Sequence, residues 1–170
     1  MGPHVASEHA ERARRIVEEI KYITIATASS AGEPWNSPVY CAFDVDYNFY
    51  WASDREARHS RNIRENPRVF LAIYDSTVPE GTGKGVYVQA TAAELDDPDD
   101  IREGLARLDC RVGKQHEQHP PQFMGPTRRR IYRAIPQRVW VNEVEHSGEP
   151  IDVRIEVGPL GLSTRSPFPP

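Results

Sequence analysis

Along most of this chain there is no room for a helix between one apolar run and the next. β-rich stretches stand at residues 22–28, 35–43, 48–53, 68–74, 85–95, 130–134, 138–142 and 151–157, several parted by little more than Gly, Pro, Asp, Asn or Ser. Val86, Val88, Ala90 and Ala92 recur in period two, as a sheet with one buried side requires. Helical spacing is confined to a few segments. Ala13, Ile16, Val17 and Ile20 form one amphipathic stripe, with Ser7 as its expected N-cap. Ile101, Leu105 and Leu108 form another, opened by Asp97 as N-cap and Pro98 at the first helical position. Regular β-α-β alternation is missing, which argues against a doubly wound parallel sheet and predicts a mainly β protein with flanking helices, a closed or split β-barrel. Small barrels of this kind expose a rim rather than a deep pocket. A flat cofactor bound at the rim needs a second subunit to cover it, so a homodimer is expected.

At 170 residues the chain has the length of one domain. That domain is expected over residues 1–162, with a flexible proline-rich tail at 163–170. Residues 110–127 read as loop, with Pro120-Pro121 and Gly125-Pro126 as breakers. The net charge of −4 supplies no global field for nucleic acid or an anionic membrane, so any anion site must be local. Cys41 and Cys110 fit neither a disulfide framework nor a zinc pattern, and no apolar run reaches the about 20 residues of a membrane span. A reduced cytoplasmic protein is the simplest expectation.

One local anion site does suggest itself. Residues 51–67 read as a strand ending on Ser53 that runs into a basic helix over 55–66, with Asp54 as N-cap and Pro67 forbidding a further turn. Free amides and the positive dipole end at such a helix start favour an anion. Arg58 would clamp phosphate oxygens, with His59, Ser53 and Ser60 as further donors. The competing interpretation is an ordinary solvated charged face.

Other motifs fall away on inspection. Gly81-Thr-Gly-Lys-Gly85 fails the P-loop spacing, since Val78 stands where the first glycine belongs; it reads as a glycine-rich connection into the next strand. His116 and His119 are three residues apart, not four as in helical zinc proteases. The Arg128-Arg129-Arg130 run alternates its side chains across a strand and reads as surface charge. Trp35, Trp51 and Trp140 read as core or interface aromatics. No nucleophile-base or paired-carboxylate spacing stands out, so any chemistry points to a bound cofactor.

The strings Gly32-Glu-Pro-Trp-Asn-Ser-Pro-Val-Tyr40, Tyr50-Trp-Ala-Ser53, Arg58-His-Ser-Arg-Asn-Ile-Arg-Glu-Asn-Pro-Arg-Val69, Gly85-Val-Tyr-Val-Gln-Ala-Thr-Ala92 and Tyr132-Arg-Ala-Ile-Pro-Gln-Arg-Val-Trp140 together resemble the pyridoxamine 5'-phosphate oxidase-like family, the FMN-binding split barrels. The resemblance covers roughly residues 11–142. It implies a dimer with FMN at the subunit interface. Ser37, Pro38 and Val39 would lie along the isoalloxazine, Ala52 and Ser53 would border the ribityl chain and phosphate, and Arg58 and His59 would take the places of the phosphate-binding basic pair. Lys84 and Gly85 would come from the other subunit, and Trp140 would cover the site. The cations that true oxidases use for their substrate are replaced by Ser37 and Ala42, and their C-terminal signatures are absent, so vitamin B6 oxidation is not expected.

The function implied is an FMN-dependent oxidoreductase passing a hydride to or from an unidentified small molecule. Two alternatives stand beside it. One is reduction by F420, whose acidic tail would use Arg55, Arg61 and Arg64; the other is a non-catalytic flavin or haem binder or sensor. A nucleic-acid-binding barrel is disfavoured by the acidic balance and by the expected lack of paired aromatics on adjacent strands.

Overall fold

The structure is a computed structural model that describes residues 3–114, 119–145, 151–158 and 160–161. The expected tail at 163–170 and His116 lie outside the described residues. The chain runs α1 (Pro3–Glu19), β1 (Tyr22–Ala28), β2 (Pro34–Tyr40), β3 (Ala42–Phe43), β4 (Phe49–Asp54), α2 (Arg58–Glu65), β5 (Arg68–Tyr74), β6 (Gly85–Glu94), α3 (Pro98–Val112), a single 3-10 turn (Pro120–Phe123), β7 (Arg129–Glu145) and β8 (Ile151–Val157).

One curled antiparallel sheet joins these strands in the order β2-β1-β5-β6-β7-β4-β3, with β8 added on β7. The fold is thus mainly β, as expected, and its curl is that of a split barrel. The long strand β7 makes this possible. It pairs with β6 along one edge, while its other edge takes β4 over Arg129 to Ala134 and then β8 over Val139 to Glu145. The sequence predicts two strands here because Pro136 interrupts the pattern. Instead the chain continues through a β-bulge, where Ala90 faces Pro136, Gln89 faces Arg138, and Gln137 is left over.

Alternation decides what fills the interior. Ile23 and Ile25 of β1, Phe49 and Trp51 of β4, Val69, Leu71 and Ile73 of β5, and Val86 and Val88 of β6 point inward with Ala13 and Val17 of α1. On the outer face, Tyr50 and Ile131 receive Ile101 and Leu105 of α3 and Phe123 of the 3-10 turn. β4 is therefore buried on both sides. Gly104 is what lets α3 approach: a Cβ there would stand 2.8 Å from Ile131 Cγ2 and 3.1 Å from a Tyr50 ring carbon. Asp97 caps α3 as predicted, accepting from the amides of Asp99 and Asp100 at 2.8 and 3.1 Å, and Gly113 ends it with φ 69°.

Other boundaries move. α1 begins at Pro3, so Ser7 is not its N-cap. The run at 35–43 breaks at Cys41 into β2 and β3, and the expected loop at 110–127 contains the end of α3 and the 3-10 turn. No helix among the described residues is long and apolar enough to cross a membrane.

Candidate functional site

Among the described residues β2 is an edge strand, bonded to β1 alone. β4 has β7 on one side, while on the other β3 covers only Phe49 and Tyr50. From Trp51 to Asp54 that second edge carries no strand among the described residues. The barrel is thus open along a seam between β2 and β4, and the amides and carbonyls on its two lips lack sheet partners.

α2 closes the head of this seam. It starts later than the sequence predicts, because Asp54 does not cap it. The Asp54 carboxylate accepts from the Glu56 amide at 2.8 Å and holds a turn, and the helix opens at Arg58 with Ala57 as N-cap. Alanine offers no side-chain oxygen, so the first-turn amides at Arg58 and His59 have no cap. That position is where an anion would be favoured, and it carries Arg58. Arg58 Nη2 donates to Glu33 Oε2 at 2.8 Å, and its guanidinium lies 4.7 Å from the centroid of the Trp35 ring. Both partners of that ion pair are well exposed, at 39% and 70% of their side-chain surface, so the contact is weak and open to competition.

His59 departs from its expected role. It is only 7% exposed and bridges the seam: Nε2 lies 2.8 Å from Ser53 Oγ on β4, and Nδ1 lies 3.2 Å from Ser37 Oγ on β2. Trp35 Nε1 donates to the same Ser37 hydroxyl at 3.0 Å. Desolvation pushes the His59 pKa below its ordinary value, so at neutral pH the ring is uncharged. Arg58 is a permanent cation at the seam, and Arg128, paired with Asp54, is another. Ser60 is also corrected: it is fully buried and donates to the Asp54 carbonyl at 2.8 Å, so it is not an anion donor.

Five of the predicted positions thus meet at the seam, namely Ser37, Pro38, Ser53, Arg58 and His59, with Ala52 exposed on β4 beside them. Val39 sits on β2 but turns its side chain into the core, leaving only its backbone to the lip. Lys84, Gly85 and Trp140 lie elsewhere, at the opposite end of β6 from α2, with Gly85 as the first residue of β6 and Trp140 facing Tyr87. Lys84 Nζ binds Glu143 Oε1 at 3.0 Å, and the Gly85 amide donates to Asn142 Oδ1 at 2.7 Å. Arg12 also donates to Glu143, and together the two cations lower its pKa to about 2.

Three features escaped the sequence. Arg130, read as surface charge, is 5% exposed and ties Glu94 to the carbonyls of Gly125, Thr127 and Arg129. Phe70, Tyr87 and Trp140 sit on neighbouring strands on the outer face, with Phe70 centroids 6.5 Å from Tyr87 and 6.1 Å from Trp140, so paired aromatics do exist there. Period-two alternation within 68–74 and 85–95 was the signal available for it. Arg138 and Arg154 lie over Trp140 and Tyr87, each paired with a carboxylate, Glu156 and Asp152 respectively. Third, a cavity of about 210 Å³ opens beside Ala52 and Tyr40. A larger one of about 400 Å³ fills the gap between β4 and β8 along β7 and contains no predicted site residue. Among the described residues no cluster of His, Cys, Asp and Glu is arranged to hold a metal.

The family model for pyridoxamine 5'-phosphate oxidase matches residues 10–143. The chain belongs to that family. Solved structures share its fold. A haem-binding protein from Mycobacterium smegmatis superposes with a TM-score of 0.64 at 21% identity, over 85% of this chain and 57% of its own length. A candidate pyridoxamine 5'-phosphate oxidase from Listeria innocua gives 0.60 at 14% identity, over 78% of this chain and 96% of that one. An F420 reductase gives 0.54 at 21% identity, over 74% and 94%. Identities this low establish common architecture and nothing finer. No curated protein matches in sequence.

Proposed function

We propose that the protein is a homodimeric, cytoplasmic FMN-dependent oxidoreductase whose cofactor lies along the seam. The observation that carries this is the uncapped start of α2, with Arg58 and the Ser53 hydroxyl beside it, at the head of two unpaired strand edges. These groups fit a flavin monophosphate. Arg58 would turn from Glu33 to the phosphate, the amides at Arg58 and His59 would complete its shell, and the lips at Ser37, Pro38, Val39 and Ala52 would meet the ring and ribityl chain. Bound there, the flavin would supply hydride transfer; the chain's own residues hold, orient and desolvate it.

The site is incomplete within one chain. Lys84, Gly85 and Trp140 are too far along the sheet to serve their own seam, which supports a second subunit as their route to it. The free cysteines Cys41 and Cys110 agree with a reducing compartment. The basic helix speaks for FMN over the longer anionic tail of F420: Arg64 binds Glu94 and the Arg55 carbonyl, Arg61 binds the Glu56 carbonyl, and Arg55 approaches Glu56 at 3.5 Å.

The absorption spectrum and mass of the ligand released on denaturation test the proposal. FMN, with anaerobic reduction by a nicotinamide donor, is the expected result. F420 or haem in its place would overturn the cofactor assignment, and loaded protein that no donor reduces would leave a binding protein rather than an enzyme.

A further inference from the structure

One chain of side-chain hydrogen bonds crosses the seam. It begins on β2, where the Trp35 indole N–H donates to Ser37 Oγ at 3.0 Å, passes from that hydroxyl to His59 Nδ1 at 3.2 Å, and continues from Nε2 to Ser53 Oγ on β4 at 2.8 Å. β2 and β4 are not paired in the sheet, so the buried imidazole joins the two lips directly. The polarity of the chain follows from its first link. An indole N–H can only donate, so Ser37 Oγ accepts there. Among the described residues the only other partner of that hydroxyl is His59 Nδ1, and its proton goes to that nitrogen. Arg58, Glu33, Asp54 and Arg128 stand around the head of the seam, yet they pair with one another and none is bonded to the ring, which burial keeps uncharged. A neutral imidazole that accepts at Nδ1 carries its proton on Nε2. Nε2–H therefore donates to Ser53 Oγ, and the Ser53 proton, with no other acceptor among the described residues, is left for an acceptor in the open seam. The opposite tautomer would reverse each donor. Ser53 would then spend its proton on Nε2 and offer only lone pairs, which repel an oxyanion.

We propose that His59 is a positioning residue for the anion: held in one tautomer by Trp35 and Ser37, it keeps the Ser53 hydroxyl as a donor to a phosphate oxygen at the start of α2 without touching the phosphate itself. The inference rests on the flavin reading for the identity of the anion, and on the geometry of this chain for the polarity. It gives Trp35 and Ser37, on one lip, control over the charge preference of a hydroxyl on the other. Arg58 attracts any anion, whereas a fixed donor beside it adds direction. A hydroxyl already oriented also loses no rotational freedom when the anion arrives. Trp35 serves twice, because the Arg58 guanidinium lies against its ring while its N–H sets the chain.

The ratio of FMN to riboflavin affinity isolates the phosphate, and quenching of flavin fluorescence by the full chain reads it. Ser53→Ala should lower that ratio about threefold to tenfold, and so should Ser37→Ala. The two substitutions together should lower it no further than Ser53→Ala alone, because Ser37 acts on the anion only through Ser53. Ser37→Thr, which keeps a hydroxyl, should restore the parent ratio. Trp35→Phe keeps a ring for Arg58 but loses the N–H, and should lower the ratio as well. Nitrogen NMR of isotope-labelled histidine at neutral pH, with the His59 signals assigned by their loss in His59→Gln, should show the parent ring protonated at Nε2 and a mixture of tautomers in Ser37→Ala. A parent ring protonated at Nδ1, a ratio unmoved by Ser37→Ala, or additive losses in the double variant would overturn the proposal. If the parent takes up neither flavin, the cofactor reading falls and inorganic phosphate decides the positioning role. Phosphate affinity reduced about threefold or more in Ser37→Ala would uphold it, and unchanged or undetectable phosphate binding would overturn it.

Discussion

The flank formed by β5, β6 and β7 and the seam between β2 and β4 belong to one sheet yet spend their hydrogen-bonding groups differently. On the flank, β5 and β6 are paired along both edges, and Leu71, Ile73, Val86 and Val88 are fully buried beneath them. Along the seam, two strand edges are unpaired, the helix that heads them has no cap, and its arginine rests on an exposed carboxylate. The flank holds the fold, whereas the seam leaves backbone groups that the sheet does not use, as the proposed cofactor site requires. Sites of this kind exist because stability is concentrated elsewhere.

Substitutions that separate the two regions give the largest effects first. Leu71→Ala, which empties a fully buried position on the flank, should lower stability by about 2 to 5 kcal/mol in chemical denaturation. Arg58→Ala should leave denaturation almost unchanged but weaken FMN by about 1.5 to 3 kcal/mol in fluorescence titration, the worth of a charge-assisted contact. An Arg58 variant that unfolds like the Leu71 variant would erase the distinction. Glu33→Gln should tighten FMN by no more than about fivefold, since exposed ion pairs contribute about 0 to 1 kcal/mol.

The smallest effect concerns pH. His59 binds its proton more weakly folded than unfolded, so the unfolded chain takes up more protons as pH falls below about 6.5. Its contribution to stability is therefore complete above that value and declines toward acid. His59→Gln should flatten the pH dependence of the unfolding midpoint in that window, and an unchanged slope would place the effect on other groups.

How far the sequence reveals this depends on what each residue answers to. Local patterns transfer directly: residues 68–74 form a strand because Val69, Leu71 and Ile73 alternate, and Asp97-Pro98 starts a helix because both residues suit only that place. The start of α2 misleads because Asp54 satisfies the backbone locally through an Asx turn, which competes with capping. His59 reads as a phosphate donor and Arg130 as surface charge, since a partner that helps bury each of them, Ser37 and Glu94 respectively, lies far away in sequence. Ser37 and Ser53 lie on strands that meet only after the sheet curls, and Glu94 joins Arg130 from β6. Pro136 reads as a break because single-strand propensity ignores the bulge that accommodates it. The seam's residues were thus visible one by one, while its shape depends on closure of the whole sheet.

The most direct measurement compares FMN with riboflavin, which lacks only the phosphate, by quenching of flavin fluorescence in parent protein and Arg58→Ala. The account predicts that the parent prefers FMN by about tenfold or more and that the preference largely vanishes in the variant. Equal affinity of the parent for the two flavins, or a preference that survives loss of the guanidinium, would contradict it.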